Sequence, residues 1–312
     1  MSAEPIAVIV VNYGSHNLLE RNLPTDDLAR EGIGVVVVDN HSSHLERDAL
    51  GWMCAERGWH LVTQDNLGFG GGVNRGIAEA RMLGYRRYVM LNPDAVADAA
   101  AIAALADHVS TATDSLVAPT ILDSSGEVWF AGGTVLVERG VTVTRGADSA
   151  APNGWLTGAC LAVHDSLWQR LRGFDDRYFL YWEDIDLSWR CVEAGGRLVV
   201  RDDIRVHHDA GGTQGGGRAK SATYYRYNCR NRLLFAARHL ERRDAIRWVL
   251  LSPAYAWRVL LRGGRRQFLR QPWRPLWAAL AGTAGGVWML ASERMPGLRR
   301  RAAAARERVR HP

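Results

Sequence analysis

Hydrophobic residues follow two rhythms along this chain. Near the amino end they form solid runs: Ile6 to Val11, rich in β-branched side chains, stops at Asn12-Tyr13-Gly14, and Val35 to Val38 repeats the pattern before Asp39-Asn40. Unbroken runs of this length read as strands buried on both faces. His60 to Thr63 and Arg87 to Leu91 read as further strands, the last ending at Asn92-Pro93-Asp94, with helical spacing at roughly residues 15–22, 44–57 and 72–83. Strands alternating with helices predict an open α/β sheet. Ligands bind past the carboxyl ends of the strands in such sheets, where Asp39, Asn66 and Asp94 fall.

From about Leu116 the rhythm shortens to β-like pieces at residues 127–131, 134–144 and 156–163, which predict a mixed sheet. A helix follows from Glu183 to Ala194, with Ile185, Trp189 and Val192 on one face and Gly195-Gly196 as its stop. Beyond Gly217 the pattern is helical almost to the end, with breaks at Pro253, Gly263-Gly264, Pro272 and Pro275. The expected organisation is a body over residues 1–237, in two parts of about 1–115 and 116–237, and a helical tail over 238–312.

With 312 residues, 47% of them hydrophobic, the chain has material for one large domain or two unequal ones and is neither disordered nor a small disulfide scaffold. Cys54, Cys160, Cys191 and Cys229 form no C-x-x-C pair, so no zinc knuckle or disulfide framework is signalled. The charge is unevenly spread. Residues 238–312 hold 17 Arg against 4 acidic residues, which leaves 22 basic against 29 acidic residues before them. An acidic body argues against nucleic acid as a partner, and the basic tail points at lipid head groups or a diphosphate-bearing substrate.

Residues 246–261 mix Arg247 and Arg258 with Trp248, Tyr255 and Trp257, which suits a helix lying in a membrane interface. The uncharged stretch 275–292 is at the short limit for a span, and packing against the body is a further alternative for this tail. Residues 299–310 read as a solvated helix. The amino end lacks a basic stretch and a cleavage site, so the expected location is cytoplasmic, peripheral on the inner face of the plasma membrane.

Four separated pieces carry the candidate chemistry: Asp39-Asn40; the glycine-rich stretch Asn66-Leu67-Gly68-Phe69-Gly70-Gly71-Gly72-Val73-Asn74-Arg75-Gly76; Asn92-Pro93-Asp94; and Tyr181-Trp182-Glu183-Asp184-Ile185-Asp186-Leu187. The glycine stretch is not a dinucleotide fingerprint, since Val73 or Arg75 stands at the last glycine of G-x-G-x-x-G. Together and in this order the pieces resemble the inverting family 2 glycosyltransferases, in the branch of rhamnosyltransferase-like enzymes, over about residues 6–235.

The resemblance implies the GT-A, or nucleotide-diphospho-sugar transferase, fold. This is a Rossmann-like, mostly parallel sheet with a smaller mixed acceptor-side sheet, here followed by a helical carboxyl-terminal extension. It makes residues 1–115 the nucleotide-binding part and 116–237 the acceptor-side part. Asp39 would accept a hydrogen bond from the imide of uracil or thymine; a turn or helix cap is the alternative for it. Asn12, Asn66, Gly68, Gly72, Asn74, Asn92 and Gly158 would line the nucleotide sugar, Gly158 by leaving room for it, with a tight turn and a helix cap at Asn74 as the plainer reading.

Asp94 stands where most GT-A enzymes have a second carboxylate, and would be the main ligand of Mg2+ or Mn2+. A histidine follows in a motif resembling H-x-x-G-x-S: counting back from Thr213 selects His208, with His207 the alternative. Asp184 would be the general base and Glu183 its orienting neighbour or a ligand of acceptor hydroxyls, whereas Asp186 and Arg190 read as an i, i+4 surface pair.

The implied activity is transfer of rhamnose or a related sugar from a dTDP- or UDP-sugar to a glycan or polyprenyl-linked acceptor in cell-envelope polysaccharide synthesis. The alternatives are decoration of a small natural product, a nucleotidyltransferase on a similar sheet, and a degenerate sugar-nucleotide-binding protein docked on the membrane.

Overall fold

A computed structural model describes residues 4–144, 148–208, 220–262 and 272–294. The amino-terminal half alternates as its hydrophobic rhythm demands: β1 (Ile6–Asn12), α1 (His16–Asn22), α2 (Thr25–Arg30), β2 (Gly34–Asp39), α3 (His44–Arg57), β3 (His60–Thr63), α4 (Gly68–Met82) and β4 (Arg87–Leu91). Then follow β5 (Ala95–Val96), α5 (Ala99–Thr111), β6 (Ser115–Leu122), β7 (Val128–Phe130), β8 (Gly133–Leu136), β9 (Val141–Val143), β10 (Gly154–Trp155), β11 (Cys160–His164), α6 (Asp165–Leu171), α7 (Glu183–Glu193) and β12 (Arg197–His208).

The large sheet is ordered β3-β2-β1-β4-β11-β6-β12-β5, with β7 paired to β6; β10-β8-β9 form a second, small sheet. Strands β1, β2, β3, β4, β6 and β12 run in one direction, and β11, β5 and β7 run against them. Alternation of side chains divides the core in two. Val8, Val10, Val35 and Val37 pack on one face with α5, and Ile9, Val11, Val36 and Val38 pack on the other with Val73 and Ile77 of α4.

Helix α5, strand β6 and helix α6 lie outside the elements expected from the sequence. Helix α5 is alanine-rich, so its periodic contrast is weak, and Asp98 caps it by accepting from the Ala101 N–H at 2.7 Å. Strand β6 holds Pro119, tolerated because the pairing with β12 is irregular directly after Pro119–Arg201. The glycine-rich stretch, expected as a loop before a helix at 72, is itself the first turns of α4.

The described residues fall into two compact units, one of residues up to Val135 and from Thr142 to His208, the other of Leu136–Val141 and the residues from Lys220 on. The second unit holds α8 (Ala222–His239), which contains position 237, then α9 (Arg242–Leu250), α10 (Ser252–Arg262) and α11 (Trp273–Arg294). Pro253 and Pro275 sit in the first turns of α10 and α11, where a missing N–H costs nothing, so Pro275 begins a helix instead of breaking one. Gly263-Gly264 and residues 299–310 lie outside the described residues.

Gly282 and Gly286 let α11 lie close on α8: a Cβ at Gly282 would overlap the Arg226 carbonyl, and one at Gly286 would stand 2.8 Å from the Arg230 carbonyl. The small residues of the uncharged stretch thus serve helix packing. No described helix is long and apolar enough to cross a membrane. The opposite face of α11 leaves Trp273, Trp277, Leu280 and Trp288 exposed. Within this unit Arg232 is fully buried between the rings of Trp248 and Tyr255, and its Nε donates to the Gly140 carbonyl at 2.6 Å. Burial draws its guanidinium down to about 10.

Candidate active site

The carboxyl ends of β1 and β2 are in register, Asn12 opposite Asp39, and both residues are fully buried. Asn12 shapes the loop after β1: its carbonyl oxygen accepts from the Ser15 N–H and hydroxyl, and its amide donates to Glu46 at 3.1 Å. Burial pushes the Glu46 carboxyl up, but bonds from Asn12 and His16 outweigh this and hold it below the usual range.

Asp39 has both oxygens engaged. One accepts the His41 N–H at 3.1 Å, the turn foreseen as its alternative role, and the other takes the Arg47 Nε. Arg47 also donates to the Gln64 carbonyl at 3.1 Å. Asn40 continues the rim, donating to the Gly68 carbonyl at 2.9 Å and to Asn66 Oδ1 at 3.2 Å, and Asn66 Oδ1 accepts the Gly68 N–H at 3.0 Å.

The glycines of α4 face protein. Gly68, at φ +81°, lies so close to the Phe179 carbonyl that a Cβ would overlap it, and the next N–H, of Phe69, donates to that carbonyl at 3.1 Å. A Cβ at Gly72 would stand 2.6 Å from Val11, and one at Gly76 would stand 2.6 Å from Ile9. Asn74 is inside the helix and does not cap it. Its side chain brackets the Phe174 backbone, accepting its N–H and donating to its carbonyl, each at 2.9 Å. Helix α4 thereby anchors the aromatic segment that leads into α7.

That segment ends in two successive non-glycine residues with positive φ, Tyr181 at 68° and Trp182 at 74°, a conformation that costs about 1–3 kcal/mol per residue. The turn delivers Glu183 and Asp184 into the first turn of α7. Asp184 is partly exposed. Its oxygens accept the Gly158 N–H at 3.2 Å and the Ile185 N–H at 2.9 Å. The room Gly158 leaves is filled by the Phe69 ring, 2.9 Å from where a Cβ would lie.

Desolvation pushes Asp184 up to about 6, against the pull of those N–H groups and the Thr157 side chain. Glu183 is more buried and is driven well above the usual range, first by desolvation and then by the Asp184 charge, so Asp184 ionises first. One Glu183 oxygen is buried with no hydrogen-bond partner among the described residues. Asp186, expected on the surface, is fully buried, and Arg190 joins it at 2.7 Å while donating to the Leu171 and Gly173 carbonyls.

One residue beyond Gly158, the Ala159 carbonyl accepts the Asn92 N–H at 2.9 Å, which ties the Asp184 side of the rim to the Asn92-Pro93-Asp94 turn. Strand β5 follows directly and pairs His208 opposite Ala95. Strand alternation then separates the two histidines: His207 points to solvent, and His208 turns inward with Nε2 3.0 Å from Asp94 Oδ1. Both members of this pair are buried, and His208 Nδ1 has no hydrogen-bond partner among the described residues.

A nitrogen and a carboxylate oxygen held this close are a donor pair that would suit one divalent ion. No cluster of three or more metal-binding side chains occurs among the described residues. The motif positions Gly211 and Thr213 lie outside them. Cys160 is buried, and burial lifts its thiol to about 12.

Over 279 residues the chain is 30% identical to the N-acetylglucosaminyl-diphospho-decaprenol L-rhamnosyltransferase of Mycobacterium tuberculosis, covering 78% of this chain and 89% of that protein. The chain belongs to the rhamnosyltransferase-like family 2 glycosyltransferases. A hexosyltransferase of low-salt glycan biosynthesis, Agl10 of Haloferax volcanii, is 24% identical over 195 residues, covering 60% of this chain and 62% of that protein.

Among solved structures, the mannosyltransferase PcManGT of Pyrobaculum calidifontis with GDP-Man and Mn2+ matches at a TM-score of 0.52, with 16% identity over 95% of this chain and 88% of its own. GalNAc-T7 with UDP, GalNAc and Mn2+ matches at 0.51, with 15% identity over 67% of this chain and 44% of its own. These two likenesses are of fold, and the fold is GT-A. No protein-family model matches the chain.

Three residues of this glycosyltransferase's rim escape sequence reasoning: Arg47, Gln64 and Trp129. Arg47 stands one turn into a helix among other charges, and only the fold turns it back onto Asp39. Trp129 rests on the His208 ring, the centroids 4.8 Å apart.

Proposed function

We propose that the enzyme moves a sugar, rhamnose or a relative of it, from a dTDP- or UDP-linked donor to a hydroxyl of a glycan or lipid-linked acceptor, with inversion at the anomeric carbon, in cell-envelope polysaccharide assembly. The mycobacterial relative, named for rhamnosyl transfer to a diphospho-decaprenol acceptor, supports both the sugar and the lipid. The observation that carries the reading is the partly exposed Asp184 carboxylate, held by the Gly158 N–H one residue from the Ala159–Asn92 link to Asp94.

In this reading Asp184 accepts the proton of the acceptor hydroxyl as its oxygen attacks the anomeric carbon from the face opposite the diphosphate. Glu183, kept protonated by burial beside Asp184, orients acceptor hydroxyls. Asp39 and Arg47 with Asn12 hold the base, Asn66 and Asn92 shape the nucleotide-sugar rim, and Gly68, Gly72 and Asn74 support it from inside through Phe179, Val11 and Phe174. Asp94 and His208 hold Mg2+ or Mn2+; the chemistry such an ion supplies when bound is neutralisation of charge on the leaving diphosphate. The exposed tryptophans of α11 and the arginines of the tail dock the enzyme on the cytoplasmic face of the membrane.

Asp184→Asn is expected to lower transfer by at least about a thousandfold while donor binding persists. Turnover within about tenfold of wild type would remove Asp184 as the base. Dialysis against EDTA is expected to stop transfer and Mn2+ or Mg2+ to restore it; full activity in EDTA would remove the metal ligands from the account.

A further inference from the structure

Strand β7 pairs with the end of β6 in a register that changes between Ile121–Phe130 and Leu122–Val128, which leaves Trp129 as a bulge. Bulges re-aim the side chain they carry. Strand β12 pairs along β6 up to His207 opposite Leu122, and the indole lies against the ring of the next residue, His208, with the ring planes at 52°. Behind it Phe130 and Trp155 continue a row of rings, with centroids 6.1 and 4.9 Å apart.

Packing does not account for where Trp129 lies. Its neighbour Phe130 is in the core at 2% exposure, whereas Trp129 remains 38% exposed. A partly exposed indole beside a buried carboxylate–imidazole pair suits a ligand that is apolar and flat on one side and anionic next to it. A pyranosyl diphosphate has that form: one face of the ring presents C–H groups, and a 6-deoxy sugar adds a methyl. An indole gives such a face a large, rigid contact.

We propose that Trp129 is the stacking platform for the donor's glycosyl ring, so that it reads the sugar while Asp94 and His208 face the diphosphate. This rests on the donor reading given above. A platform contributes to binding of the sugar and not of the nucleotide, which separates it from a residue that only braces His208.

The test is calorimetric titration of the full chain with Mn2+, as wild type, Trp129→Ala and Trp129→Phe, against dTDP-L-rhamnose and dTDP and against UDP-glucose and UDP. For the sugar nucleotide that wild type binds more tightly, Trp129→Ala is expected to weaken binding about tenfold while the matching free diphosphate changes by less than about twofold. Trp129→Phe keeps the affinity within about threefold, because a ring remains. Equal weakening of sugar nucleotide and free diphosphate, or no change in either, overturns the platform. Failure of wild type to bind any of the four overturns the donor reading itself.

Discussion

Asp184 is asked for two opposed things, to stay charged for proton abstraction and to sit where water is scarce. With its carboxyl at about 6, kcat/KM is expected to fall about tenfold per pH unit below that point and to level off above it. A profile flat down to pH 4.5 would contradict the assignment. Stability should run the other way. Burial favours the protonated carboxyl, so its folded-state pKa lies above the unfolded value, and the stabilisation is complete at low pH and lost as pH rises through about 6. Asp184→Asn is therefore expected to melt at a higher temperature than wild type at pH 8, with the gap closing near pH 4; equal melting at both pH values would show that the side chain is well solvated. Asp39, Asp94 and Glu183-Asp184 were legible in the sequence because polar residues directly after solid hydrophobic runs or at helix starts stand out. Arg47 and Trp129 were not, since a helical arginine and a strand tryptophan look ordinary until the fold shows what they touch.

Among the elements, α4 differs most from its sequence reading. Its glycines suggested backbone bared to a ligand, yet Gly72 and Gly76 lie one turn apart against Val11 and Ile9, and Gly68 receives the aromatic segment before α7. The helix positions the site by packing closely and by holding Phe174 through Asn74. Gly76→Val is expected to destabilise the fold by about 1–3 kcal/mol in urea unfolding, because added methyls meet two core strands. A change within about 0.5 kcal/mol would mean that α4 has slack. Strands β1 to β4 and helices α3 and α7 were readable to within a residue or two because each buries a clear run or stripe. Helix α5 offered little contrast among its alanines, and β6 carried a proline that sequence rules keep out of central strands.

For the whole molecule, the alternation of strands and helices made an open α/β sheet readable, the resemblance of the four motifs implied the GT-A fold, and the solved structures agree with it. The tail was legible as helical and basic, but its uncharged stretch proved to be a helix–helix contact, because small residues that resemble a short span also permit close packing. The tryptophans left outside are expected to bind membranes. Replacing Trp273, Trp277 and Trp288 with Ser should weaken co-sedimentation with phosphatidylglycerol vesicles at least about tenfold and leave transfer to a water-soluble acceptor unchanged; undiminished sedimentation would remove α11 as the docking face. The central claim is that distant parts of the chain meet around one pyrophosphate. It is tested most directly by a crystal structure of Asp184→Asn with dTDP and Mn2+, located by anomalous scattering. The account predicts one Mn2+ within about 2.3 Å of both Asp94 and His208 Nε2, on the diphosphate, with residue 184 facing the same cavity. Mn2+ bound elsewhere, or residue 184 turned away from the nucleotide, would contradict it.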